Sequence, residues 1–140
     1  MKQKSPRFSG GECQALTPHT REGGIMLLTN TPWGLPQHQH LIAPGIVRVE
    51  TAGHGGYWLS PVRWDALVTE LPFIEPWAGA PWLEEDCDCS AIILTRPDLF
   101  AESTVADARR MVLAMDGWES VSEWYHLFAE WVRTRYPEAE

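Results

Sequence analysis

The chain has 140 residues, 44% of them hydrophobic, and carries 19 acidic residues against 11 Lys and Arg, a formal charge of −8. That is room for one domain with one core, and too apolar for a disordered acidic polymer. The longest apolar run, Met111 to Met115, falls far short of the roughly 18–20 residues that a spanning helix needs, so no membrane partner is expected.

The charge is uneven. Residues 65–140 hold five Arg and sixteen Asp or Glu, a net of −11, whereas residues 1–64 are net +3. A surface this acidic repels phosphate backbones and anionic lipid, which argues against direct nucleic-acid binding. It suits basic partners, including proteins that themselves grip nucleic acid. The simplest reading of the charge is solubility. Cys13, Cys87 and Cys89 cannot all pair, and the N-terminus shows no apolar signal-peptide core. Both features point to a reducing cytoplasm.

Residues 1–25 lack any apolar period and read as a disordered tail, with residues 26–140 as a single domain. Met26 heads the first dense apolar stretch and would serve as an alternative start. Thr31-Pro32-Trp33-Gly34 reads as a turn. His38 to Ala43 reads as a strand, Pro44-Gly45 as a turn, and Ile46 to Thr51 as the clearest strand, with Val47 and Val49 inward and Arg48 and Glu50 outward. Gly53-His54-Gly55-Gly56 reads as a second reversal, and Tyr57-Trp58-Leu59 as a third strand. Residues 36–59 therefore predict a β-meander.

Ser60 and Pro61 open a helix as N-cap and first residue, with Trp64, Leu67, Val68 and Leu71 on one face and Pro72 ending it. Residues 72–82 predict an irregular, Trp-anchored loop. Cys87 to Arg96 predicts a second helix, with Glu84, Glu85 and Asp86 at its front as dipole partners. Ser103 or Thr104 caps a third helix, whose Val105, Ala108, Met111, Val112 and Met115 face inward. The last helix runs from about Val121 to Arg135, with Val121, Trp124, Phe128, Trp131 and Val132 on one face. Strands first and helices after predict an α+β fold, a short antiparallel meander with three to four helices packed on it.

Several residue sets carry chemistry. His38 and His40 share a strand face, and His54 lies in a glycine-rich turn; these are the metal candidates, with a carboxylate from Glu84, Glu85 or Asp86. Read plainly, His38 and His40 are exposed strand residues. His54, Gly55 and Gly56 are a candidate ligand loop, whose backbone N–H groups would form an anion nest or a plain hairpin turn. No Lys follows Lys4 and no helix follows the glycines directly, which excludes a P-loop. Cys87 and Cys89 sit among acids that raise a thiol pKa, which argues against a nucleophile. Most of the eight tryptophans must fill the core. Trp77 and Trp82, beside Glu84, Glu85, Asp86 and Asp88, are the candidate interaction patch. No catalytic residue and no cofactor is assigned.

Thr31-Pro32-Trp33-Gly34, Ala43-Pro44-Gly45-Ile46-Val47, His54-Gly55-Gly56-Tyr57-Trp58-Leu59-Ser60-Pro61 and Glu84-Glu85-Asp86-Cys87, in this order, resemble a small domain of unknown function found in proteins of bacterial plasmids, phages and other mobile elements. The resemblance covers residues 30–101 and carries no activity. It departs at Cys89, where the family pattern has an aromatic residue. It implies a small cytoplasmic protein of a mobile genetic element, with an accessory or anti-defence role. Together with the acidic half, this points to a protein-interaction factor whose partner is a basic nucleic-acid-binding complex of a host defence system. The alternative is a small metal-dependent hydrolase or transferase using His54 and the Glu84-Glu85-Asp86 acids.

Overall fold

The structure is a computed structural model that describes residues 19–20 and 26–137. Most of the expected tail lies outside the described residues. Its described part, β1 (His19–Thr20), pairs antiparallel with β2 (Met26–Leu27).

The fold is α+β. Four antiparallel strands run in the order β3 (His38–Ala43), β4 (Ile46–Glu50), β5 (Gly55–Leu59) and β6 (Trp82–Glu84). Among the described residues four α-helices accompany them: α1 (Pro61–Glu70), α2 (Ser90–Thr95), α3 (Glu102–Met115) and α4 (Glu123–Arg135). The meander expected over residues 36–59 is present, with Val47 opposite Trp58 and Val49 opposite Gly56. It is widened by β6, whose Trp82 ends the expected loop and whose Glu84 falls at the front of the expected second helix. Three residues are too few to show alternation, and β6 exists because its Leu83 pairs with Tyr57 and its Trp82 with Trp58.

Alternation along the strands divides the core in two. Ile46, Tyr57, Leu59 and Leu83 pack with the helices, whereas Val47, Val49, Trp58 and Trp82 pack with Leu28 and Trp33 on the other face. Strand β5 is covered on both faces and is buried along its whole length. Gly56 is required there. A Cβ at this position would overlap the Leu83 carbonyl and the Trp33 ring, so Trp33 can lie on the sheet only over a glycine. Gly55 and Gly56 are thus strand residues and not part of the reversal, which residues 51–54 make alone. The Trp33 turn is closed by a Gly34 N–H bond to the Thr31 carbonyl, with Gly34 at φ +123°.

The first helix begins as expected: Ser60 Oγ accepts the Arg63 N–H at 3.2 Å, and Pro61 follows. The second helix is shorter than expected. Residues 85–89 form turns, and Glu84 ends a strand, so these acids do not occupy a helical first turn. The third helix starts at Glu102, ahead of Ser103 and Thr104, and lacks a side-chain cap. Its Val105, Ala108, Val112 and Met115 are buried, but Met111 is exposed, because the narrower stripe already fills the space against the neighbouring helices. Trp124, Phe128 and Val132 of α4 are buried as expected, and Trp131 is half-buried. No helix among the described residues is long and apolar enough to cross a membrane.

Gly56→Ala should destabilise the protein by roughly 1–3 kcal/mol or more, as an overpacked core does. Gly53→Ala, where a Cβ meets nothing, should stay within about 0.5 kcal/mol of the parent. Urea denaturation of both variants checks the pair.

Candidate functional site

Pairing of β5 with β6 brings two distant sequence phrases together. The Glu85 N–H donates to the Gly55 carbonyl at 3.0 Å, which sets His54 beside the acids. His54 Nε2 lies 3.1 Å from Glu84 Oε2, and Nδ1 lies 3.9 Å from Glu85 Oε2. Glu84 Oε1 accepts the Cys87 N–H at 3.2 Å. Thr51 fixes the loop before the strand, its Oγ1 donating to the His54 carbonyl at 2.7 Å. The Trp33 ring stands 6.0 Å from the His54 ring and edge-on to Trp82.

Next to this pair, Asp88 is almost wholly buried, at 1% exposure. Its Oδ2 accepts the Trp77 backbone N–H at 2.7 Å, and its Oδ1 accepts the Tyr125 hydroxyl proton. One carboxylate therefore ties the loop before β6 to the last helix. Burial pushes the Asp88 pKa up to about 6, and nearby Glu84 adds to the rise; the bonds from Tyr125 and Trp77 pull it down without cancelling the effect. Burial, then the charge of Asp88, raises the Tyr125 pKa as well.

A cavity of about 520 Å³ opens here, in the size range of small-ligand sites. His54, Glu75, Glu84 and Asp88 line it with the rings of Trp33, Trp77, Trp124 and Tyr125, and Cys87, Met115 and Ser122 complete the wall. Trp77 is 80% exposed.

The residues singled out from sequence fall into three groups. His54, Glu84, Asp88 and Trp77 line one cavity, and Glu85 and Asp86 flank it in the following turn. Trp82 is buried in β6 and fills the core between Trp58 and Trp33, so its ring is not on an exposed patch. His38 and His40 do not join His54. They sit on β3, at the opposite edge of the sheet from β6, and His40 lies 3.9 Å from Glu50. Among the described residues, the histidine that joins a three-ligand cluster is His54, with Glu84 and Asp86, whose ligand atoms lie within 4.8 Å of one another. An anion nest at Gly55 and Gly56 is not formed, because both glycines are paired within the sheet. Cys87 and Cys89 are half-buried. Burial first, and the neighbouring acids second, push their thiols up to about 11 and about 12, which keeps both protonated at neutral pH. At the Cys89 departure, the thiol donates to the Glu85 carbonyl at 2.9 Å.

Glu75, Trp124 and Tyr125 were not identified as site residues. Glu75 lies in the proline-rich loop, where no period operates. Tyr125 directly follows the inward-facing Trp124, and only its bond to Asp88 reveals its role.

A family model described as a domain of unknown function (DUF7007) matches residues 27–138, and the chain belongs to that family. The match extends beyond the residue 30–101 resemblance and takes in the last helix. No curated protein and no solved structure matches the chain.

The raised Asp88 pKa fixes the sign of a pH effect. The folded state holds this proton more tightly than the unfolded state does. Its contribution is fully present below about pH 4, and it is lost as pH rises through about 6, by roughly 3 kcal/mol in all. Asp88→Asn removes this titration. The difference in urea stability between Asp88→Asn and the parent should grow in the variant's favour between about pH 4 and 6 and then level off. A difference that does not vary with pH would show that Asp88 ionises freely.

Proposed function

We propose that this member of the family is a small cytoplasmic protein-interaction factor of a mobile genetic element. It binds a basic, nucleic-acid-handling protein of a host defence system, as an anti-CRISPR or anti-restriction inhibitor would. One observation carries this reading: the cavity gathers three carboxylates and an exposed tryptophan, with no compensating Arg or Lys in its wall among the described residues. The described arginines are engaged elsewhere. Arg48 pairs with Glu50, Arg96 with Asp98, Arg110 with Asp107, Arg133 with Asp116 and Arg135 with Glu70. Arg63 donates to the Pro44 carbonyl, and Arg109 lies over the Tyr136 ring. A negative field left open at one cavity attracts a positive partner and speeds its approach.

The test is affinity capture from lysate of the natural host, read by mass spectrometry. A stoichiometric basic nucleic-acid-binding protein is expected. Its affinity should fall about tenfold or more between roughly 0.05 and 0.5 M salt. An acidic partner, or capture insensitive to salt, would overturn the reading.

The second reading is a metal-dependent hydrolase or transferase at His54, Glu84, Glu85 and Asp86. It is favoured by the one-histidine, two-carboxylate cluster at the cavity, a donor set of the kind that zinc or manganese accepts. Under it, titration calorimetry should find about one equivalent of zinc or manganese bound, and His54→Ala should abolish that binding. Absence of stoichiometric binding in the parent removes this reading.

A further inference from the structure

We propose that the cavity beside β6 receives a single arginine side chain from the partner. The assignment deepens, and rests on, the interaction reading above. The observations are the placement of Trp77 and the division of labour among the carboxylates.

Trp77 is 80% exposed although its backbone is anchored, at 2.7 Å, to a carboxylate that is itself 1% exposed. Isolated exposed apolar residues are ordinary. Trp118, also half exposed, is of that kind and lines no part of the cavity. Trp77 differs because a buried polar clamp holds it at the mouth of an acidic pocket. A tryptophan face beside carboxylates attracts a cation through its ring quadrupole.

The carboxylates are not equivalent. Both Asp88 oxygens already accept hydrogen bonds. Glu84 uses one oxygen on the Cys87 N–H and the other toward His54. These two supply negative potential but have little bonding capacity left. Glu75, two residues before Trp77 on the same loop, is exposed and has no hydrogen-bond or ion-pair partner among the described residues. It is the group available to bond an incoming donor.

A flat cation that stacks on an indole and donates two parallel hydrogen bonds to a carboxylate fits this set. That is a guanidinium; an ammonium is more strongly hydrated and cannot stack. The volume, about 520 Å³, admits one long side chain with its water. Arginine from a basic protein is also the chemistry that the net charge of the acidic half selects.

The probe is N-acetyl-arginine N-methylamide, added to the full chain while the tryptophan indole N–H signals are followed by NMR. The control is the citrulline analogue, which keeps the shape and loses the charge. A saturable shift of the Trp77 signal is expected, with citrulline at least about tenfold weaker. Glu75→Gln should weaken binding about tenfold. Trp77→Ala, read at the Trp33 and Trp124 indoles, should abolish it. Both side chains are exposed, and unchanged dispersion of the remaining signals confirms folding. Equal binding of citrulline, full binding by Glu75→Gln, or no saturable shift each overturns the assignment. If host capture persists undiminished in Trp77→Ala and Glu75→Gln, the interaction reading stands and the arginine pocket falls. If the probe binds but no basic protein is captured, the pocket stands and the interaction reading falls.

Discussion

The carboxylate of Asp88 joins three segments that are distant in sequence. It sits in the turn between β6 and α2, accepts the Trp77 N–H from the loop before β6, and accepts the Tyr125 hydroxyl from α4. Burying a carboxylate is costly, and the raised pKa measures part of that cost. Removing it would leave the buried Tyr125 hydroxyl without a partner, at a cost of about 1–3 kcal/mol, and would free the part-buried Trp77 N–H. A buried charged group of this kind is weak evidence for stability. The value of the clamp is therefore geometric. It fixes where the Trp77 loop stands relative to the last helix, and with it the mouth of the cavity.

A second constraint works from the other side of the sheet. Gly56 lets the Trp33 ring lie directly on β5, and Trp33 in turn borders His54 and the edge of Trp82. The cavity wall is thus continuous from the Trp33 layer, through the His54–Glu84 pair, to the Asp88 clamp. The phrases that carried the family resemblance, around Trp33, His54 and Glu84, are far apart in the chain and meet along this wall. Their spacing serves one surface and not three separate turns.

What was legible in sequence was local. Val47 and Val49 alternate with Arg48, and both are buried. Ser60 followed by Pro61 caps a helix, because the capping bond spans three residues. The helical stripe of Trp124, Phe128 and Val132 needs only a period. What was not legible depends on partners distant in sequence. Strand β6 has no pattern of its own and exists through β5. Glu84, Glu85 and Asp86 resembled a helical first turn because acids there are common, yet the strand consumes Glu84. Asp88 reads as one more surface acid until Tyr125, 37 residues on, is placed against it. His38 and His40 share spacing with a ligand pair but lie at the wrong edge of the sheet.

The placement of positive charge matters as much as the excess of negative charge. The arginines of the acidic half are spent on the helical layer, in pairs such as Arg133 with Asp116 and Arg135 with Glu70, or over the rings of Tyr136 and Trp131. These pairs are exposed and contribute little to stability. Their effect is to neutralise acids away from the cavity, where Glu75, Glu84 and Asp88 have no Arg beside them among the described residues. The Cys87 thiol, held protonated by burial and by Glu84, Asp88 and Asp86, adds no nucleophile to the wall. The cavity thus combines three carboxylates and an exposed indole, with no Arg or Lys among the described residues of its wall.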